Sequence, residues 1–204
     1  MASNHYHQAW YLYLMGRQEE AIQEHELAQE YDPLGAFNTA WLAWLYAYYG
    51  EYEKAENAIE KTLELDSIHS VGLMAKGLML HQQDRNQEAL VVFQKLASLY
   101  PWHKSLFGRA YVRVGQNVNA CQILAEIKAL ADSPWKAWEL AVLLADLGNK
   151  EEAIQWLRFE PNHAYVPWAR VIPFNEALRK NTAFHTLMAE MNLPPVTRPI
   201  EDNY

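Results

Sequence analysis

The sequence predicts an all-α solenoid of about five helix pairs closed by a C-terminal helical cap. Three observations predict it. A six-residue signature recurs five times in register. The stretch before each recurrence is long, apolar and of helical periodicity. A residue that turns or ends a helix closes almost every unit.

The signature reads GRQEEA at Gly16–Ala21, GEYEKA at Gly50–Ala55, DRNQEA at Asp84–Ala89, GQNVNA at Gly115–Ala120 and GNKEEA at Gly148–Ala153. Its alanines step by 34, 34, 31 and 33 residues, so the repeat is a structural unit and not a chance match. Within each unit an apolar helix comes first, as in NTAWLAWLYAYY before Gly50. Glycine ends it, because glycine takes the left-handed conformation without a Cβ penalty. A polar pair then starts a second helix, and the alanine marks where the two helices cross closely. The stretches after the alanines run on to Pro33, Ser67, Pro101, Pro134 and Pro161, where proline stops the helix. These marks divide residues 1–161 into units at about 2–35, 36–69, 70–101, 102–134 and 135–161, with 162–204 left for capping helices and a tail.

This pattern resembles the tetratricopeptide (TPR) family. The small residue in the middle of the first helix is Ala9, Ala43, Gly77, Gly108 and Ala141. The large residue three positions on is Leu12, Tyr46, Leu80, Tyr111 and Leu144. Four after the crossing alanine stand Phe93, Leu124 and Leu157 in the last three units. The sequence departs from the family where a tryptophan is usual near the start of the first helix, having His5, Thr39, Leu73, Lys104 and Ala137. The fourth unit is three residues short, and the fifth has a clipped second helix ending near Phe159. The resemblance implies a right-handed solenoid. The segment with Phe174, Leu178, Arg179, Phe184, Leu187, Met188 and Met191 resembles an ending found after TPR arrays in bacterial regulatory and signalling proteins. A cap there also follows from physics, since the last unit would otherwise expose its apolar face. No comparable cap precedes the first unit, whose first helix is barely long enough. The expectation is a chain that is part of a longer regulator, or one that pairs through that end.

In this family the first helix of each unit lines the concave face. Spacing of i, i+4, i+7, i+11 then puts Phe37, Trp41, Trp44 and Tyr48 on one groove-facing stripe, apart from the packing residues Leu42, Ala43 and Tyr46. The same offsets place Tyr6, Trp10 and Tyr13; Met74, Leu78 and His81; Trp102, Arg109 and Arg113; and Trp135, Trp138 and Val142. So much of the content of 8 Trp, 12 Tyr and 6 Phe lands on one face. Left in water it would be an unusually large apolar patch, so something covers it: the chain's own tail, a second copy, or a ligand. Arg109 and Arg113, with Lys104 nearby, suit a carboxylate. The alternative is a structural ion pair of Arg109 with Glu139 or Asp146. The family's clamp for C-terminal carboxylates uses Lys and Asn at groove positions held here by Ala, Trp, Met and Leu, which argues against a chaperone-tail clamp.

Composition narrows the function. The net charge is -8, so a nucleic-acid partner is not expected. The acid is concentrated: Arg17 to Asp66 holds 12 acids and 3 bases, read as the solvated face of the outer helices. One cysteine excludes an intrachain disulfide and a cysteine metal site, and Cys121 is expected to be an inert, partly buried thiol. The eight histidines form no metal-ligand motif, and no phosphate loop or nucleophile motif occurs. No signal peptide or membrane span is visible, and a cytoplasmic location is expected, or a periplasmic one within a membrane-anchored regulator. The chain reads as a non-catalytic scaffold without cofactor, binding a protein or peptide through its aromatic groove at Trp10, Tyr13, Phe37, Trp41, Trp44, Tyr48, Met74, Trp102, Arg109, Arg113, Trp135 and Trp138. A sensory module for a small aromatic or acidic molecule is the second reading, and a self-association domain the third.

Overall fold

A computed structural model describes residues 2–159, 165–171 and 176–193. The described secondary structure is entirely helical. Five antiparallel pairs follow the repeat register: α1 (Ala2–Leu14) and α2 (Gln18–Tyr31), α3 (Ala36–Tyr49) and α4 (Tyr52–Leu65), α5 (Ser70–Gln82) and α6 (Asn86–Leu99), α7 (Lys104–Arg113) and α8 (Asn117–Lys128), α9 (Pro134–Asp146) and α10 (Lys150–Phe159). Three shorter helices follow: α11 (Tyr165–Trp168), α12 (Glu176–Arg179) and α13 (Thr182–Glu190). First helices stack on first helices, α3 on α5 and α7 on α9, while each second helix packs on its own partner.

One turn is built five times. Gly16, Gly50, Gly115 and Gly148 have φ between 75° and 87°, and Asp84 takes the same place at φ 57°. The next residue's N–H reaches back to the carbonyl of Leu12, Tyr46, Leu80, Tyr111 or Leu144, each at 2.9 Å. This is the Schellman arrangement, which satisfies carbonyls at the end of a helix. The large residue of the repeat is therefore also the acceptor that closes the turn. Aspartate can stand in for glycine because its short polar side chain tolerates the left-handed region.

The helix crossings are as close as the alanines imply. Ala21, Ala55, Ala89, Ala120 and Ala153 are fully buried, as are Ala9, Ala43 and Ala141 opposite them. At Gly77 a Cβ would lie 2.4 Å from the Phe93 ring, and at Gly108 2.7 Å from Leu143. Those glycines are needed for space, not for backbone freedom. Cys121 corrects an expectation: it is exposed. One residue along a helix is a rotation of about 100°, which carries Cys121 off the crossing that buries Ala120. The first helix also differs from expectation, for α1 has 13 residues, as many as α5 and α9.

Helices α3 and α9 are buried nearly all round, from Asn38 to Tyr48 and from Ala137 to Ala145. A helix apolar on every side must be covered on every side. The outer sides meet α4 and α10 and the flanks meet neighbouring first helices. The C-terminal segment supplies the rest. Leu178, Phe184, Leu187 and Met188 join the core of the last two units, while Val171 and Trp168 join the core of the first three. Val166 and Ala169 pack in the former core, so residues 165–171 bridge the two. Phe174 and Pro161 lie outside the described residues.

Two glycine variants separate space from strain. Gly77→Ala should lose about 1–3 kcal/mol, because the Phe93 ring has to move. Gly115→Ala, with nothing within 4 Å of the new Cβ, should lose only about 1 kcal/mol, from the left-handed backbone. Urea unfolding of both measures this; equal losses would mean that the ring does not limit the crossing.

Candidate functional site

The first helices α1 and α3 carry the aromatic stripe. Rings from α1 and α3 form a continuous chain: Tyr6 to Phe37 at 5.2 Å, Phe37 to Trp41 at 6.4 Å, Trp41 to Trp10 at 4.2 Å, Trp41 to Trp44 at 5.0 Å and Trp44 to Tyr13 at 5.7 Å between centroids. Most pairs are tilted or edge-to-face, the geometry that aromatic quadrupoles favour.

Much of the stripe is not open. Trp168 is set edge-on to Trp10 at 4.2 Å and lies 5.5 Å from Tyr13. The Tyr13 hydroxyl donates to the Val171 carbonyl at 2.8 Å. Tyr13, Trp41, Trp44 and Tyr48 are buried, and Trp10 is half-buried. Burial of each such side chain contributes about 1.5–3 kcal/mol. Of the three covers expected for this surface, the chain's own C-terminal part occupies this half of the groove. Trp168 and Val171 are the groove residues that sequence reasoning did not name. Their only signal was an apolar run, Tyr165-Val166-Pro167-Trp168, beyond the last repeat.

The remaining candidates spread along the array. Phe37, Trp102 and Trp135 keep large exposed surfaces of 51%, 47% and 40%. Trp102 precedes α7 in a 3₁₀ turn (Pro101–His103) and packs near Tyr100 and His103. Met74 is half-buried between the core of the first three units and that of the third and fourth, and Trp138 is buried in the core of the last two. No single site unites all twelve residues.

The basic pair separates. Arg109 is buried and its Nε donates to Asp146 Oδ2 at 2.6 Å, tying α7 to α9. This is the structural ion pair foreseen as the alternative to a carboxylate clamp. Arg113, one turn on, is exposed, and Lys104 pairs with Glu126 at 2.6 Å. Glu139, the other partner considered for Arg109, instead accepts from the Ser105 N–H at 2.6 Å and hydroxyl at 2.8 Å. Full burial pushes its carboxyl up to about 8, against the opposing pull of the Ser105 donors and Arg109. Burial likewise pulls His81 down to about 4, with the Arg113 and Arg109 charges adding to it and Asn86 opposing. Among the described residues, no three His, Cys, Asp or Glu side chains gather to hold a metal ion, and no helix is long and apolar enough to cross a membrane.

No family model matches the chain, and no curated protein matches it in sequence. Solved structures do match its shape. A thermophilic TPR protein from Thermus thermophilus superposes with a TM-score of 0.65 at 20% identity, over 95% of this chain and 100% of that one. The fold is that of the tetratricopeptide repeat. A TPR protein from Parabacteroides merdae gives 0.67 at 14% identity over 93% of this chain and 70% of the other. PilF of Pseudomonas aeruginosa gives 0.56 at 19% over 93% and 91%. In this TPR solenoid the first helices α1 and α3 carry the linked rings.

The buried Glu139 predicts a pH dependence. Its folded value lies above its ordinary 4.5, so the folded chain holds an extra proton between about 4.5 and 8. Stability should therefore fall as pH rises through that window. Glu139→Gln should remove about 2–4 kcal/mol of that fall, seen as a flatter melting temperature from pH 5 to 8. A variant whose melting curve parallels the parent's would refute it.

Proposed function

We propose that this TPR solenoid is a non-catalytic interaction scaffold that takes a peptide segment of a protein partner on its concave aromatic face. The observation that carries the reading is the seat of residues 165–171. There a short stretch of chain lies against the inner wall, one ring set on the rings of α1 and one carbonyl bonded by Tyr13. A partner segment would use the same two devices, ring contact and a backbone hydrogen bond. The partner then competes with 165–171, and the exposed rings of Phe37, Trp102 and Trp135 offer contacts outside the occupied half. The TPR neighbours support an interaction role in general terms, and the partner's identity is open to experiment.

Trp168→Ala in the full chain should loosen the internal segment without touching the wall. A labelled synthetic peptide of residues 165–171 should bind this variant at least ~10-fold more tightly than the parent, since the competing ring is gone. Fluorescence anisotropy measures the affinity and circular dichroism checks the helices. Absence of peptide binding to a variant that keeps its helical spectrum would overturn the proposal.

A further inference from the structure

The turns that join one helix pair to the next form an apolar edge. Tyr31, Leu65, Leu99 and Leu130 each stand ten residues after a crossing alanine, at or just past the end of a second helix. Leu34, Ile68, Trp102 and Trp135 open the unit that follows. All eight are exposed, by 39% to 74%. More than half of the large apolar side chains exposed among the described residues therefore sit at these two places of the repeat. The helices of each pair run antiparallel, so the four turns lie along one edge of the stack. Neighbouring turns touch. The Phe37 and His69 rings are 6.4 Å apart, the Tyr100 hydroxyl donates to the Ile68 carbonyl at 2.7 Å, and the 101–103 turn packs on α9. Large side chains present about 150–250 Å² each when free, so these fractions leave roughly 800 Å² on one chain, above the ~300–600 Å² of the largest patch on a typical monomer.

Charge along this edge is its own complement. Stretches 27–37 and 61–71 hold Glu30, Asp32, Glu64 and Asp66 against Lys61 alone. Stretches 95–105 and 128–138 hold Lys95, Lys104, Lys128 and Lys136 against Asp132 alone. Lys104, Lys128 and Lys136 also pair within the chain, with Glu126, Glu152 and Asp132, but surface pairs of this kind are weak and exchange readily. A second copy laid antiparallel sets the first and second turns of each chain on the fourth and third of the other. Apolar side chains then meet along the whole edge, with acid opposite base. Laid parallel, the same edge sets acid on acid. One two-fold axis between the second and third turns gives the antiparallel form and closes the pair. Two such edges bury roughly 1,600 Å², the size of a standard stable interface. We infer that the chain pairs with a second copy of itself, antiparallel, through the edge formed by its inter-unit turns, with Ile68 and Trp102 at the centre. This edge is apart from the seat of residues 165–171, so the inference goes beyond the peptide reading. Of the three exposed rings, a paired chain leaves Phe37 to a peptide.

Sedimentation velocity of the full chain, at tens of micromolar in low salt, should show a species of twice its 23.7 kDa. Ile68→Glu with Trp102→Glu should weaken the pair at least ~100-fold and keep the helical spectrum, because both side chains are exposed in the single chain. A charge swap tests the orientation. Glu30→Lys with Glu64→Lys, and separately Lys95→Glu with Lys128→Glu, should each weaken self-pairing ~10-fold or more. An equimolar mixture of these two variants should pair as tightly as the parent, since every altered site then meets its opposite, and added salt should loosen the mixture. A parent that stays monomeric would overturn the inference. So would a pair that survives the Ile68 and Trp102 changes, or a mixture no tighter than its parts. The 165–171 peptide assay on Trp168→Ala reads the inner wall and not the edge, so either reading can fail alone.

Discussion

Everything in this solenoid is built on the distance at which paired helices cross. Five fully buried alanines set it, with Ala9, Ala43, Gly77, Gly108 and Ala141 facing them across the pair. A close crossing buries the flanking Leu, Ile and Phe side chains against one another at interior packing density. It also fixes where each pair ends, because the turn between its helices bonds back to the large residue of the first helix. A unit so defined cannot cover its own inner side. The first helices therefore stack, and their second apolar stripe faces inward together.

That inner wall poses the main energetic problem of the molecule. Helices α3 and α9 are buried nearly all round, and a stack of pairs leaves one side of each uncovered. The chain answers at both places with its own C-terminal part: Trp168 and Val171 beside α1 and α3, Leu178 and the α13 residues beside α9 and α10. The cover over α9 and α10 is apolar at its centre, with an exposed ion pair from Arg158 of α10 to Glu190 of α13. Beside α1 and α3 the contacts are aromatic, with one hydrogen bond from the Tyr13 hydroxyl to the Val171 carbonyl.

The repeat register, the five turns and the small residues at the crossings were all legible in the sequence. Each is local, decided by residues within one period of the chain. Asp84 shows how robust that logic is: the turn forms with the same bonds where glycine is missing. The stripe of rings was legible too, since helical spacing alone puts Phe37, Trp41, Trp44 and Tyr48 on one face. The fates of Arg109 and Cys121 were not. Arg109 meets Asp146, 37 positions later, because α7 and α9 lie side by side. Cys121 is exposed because one step along α8 turns it off the crossing. Glu139 was a sensible partner for Arg109 on charge, yet lies against Ser105 at the start of α7.

By itself, then, the half-apolar sequence with its surplus of rings determined a stack of helix pairs with an aromatic inner face. Periodicity and turn chemistry act over a few residues and need no knowledge of the rest. Only the tertiary structure decided what lies on that face. Tyr13 meets Val171 across 158 positions, and no spacing rule connects them. Burial of large apolar area selects that contact from many the chain could make, because the hydrophobic effect depends on area and not on order in sequence. The same burial decides which rings are sealed and which, Phe37, Trp102 and Trp135 among them, stay exposed.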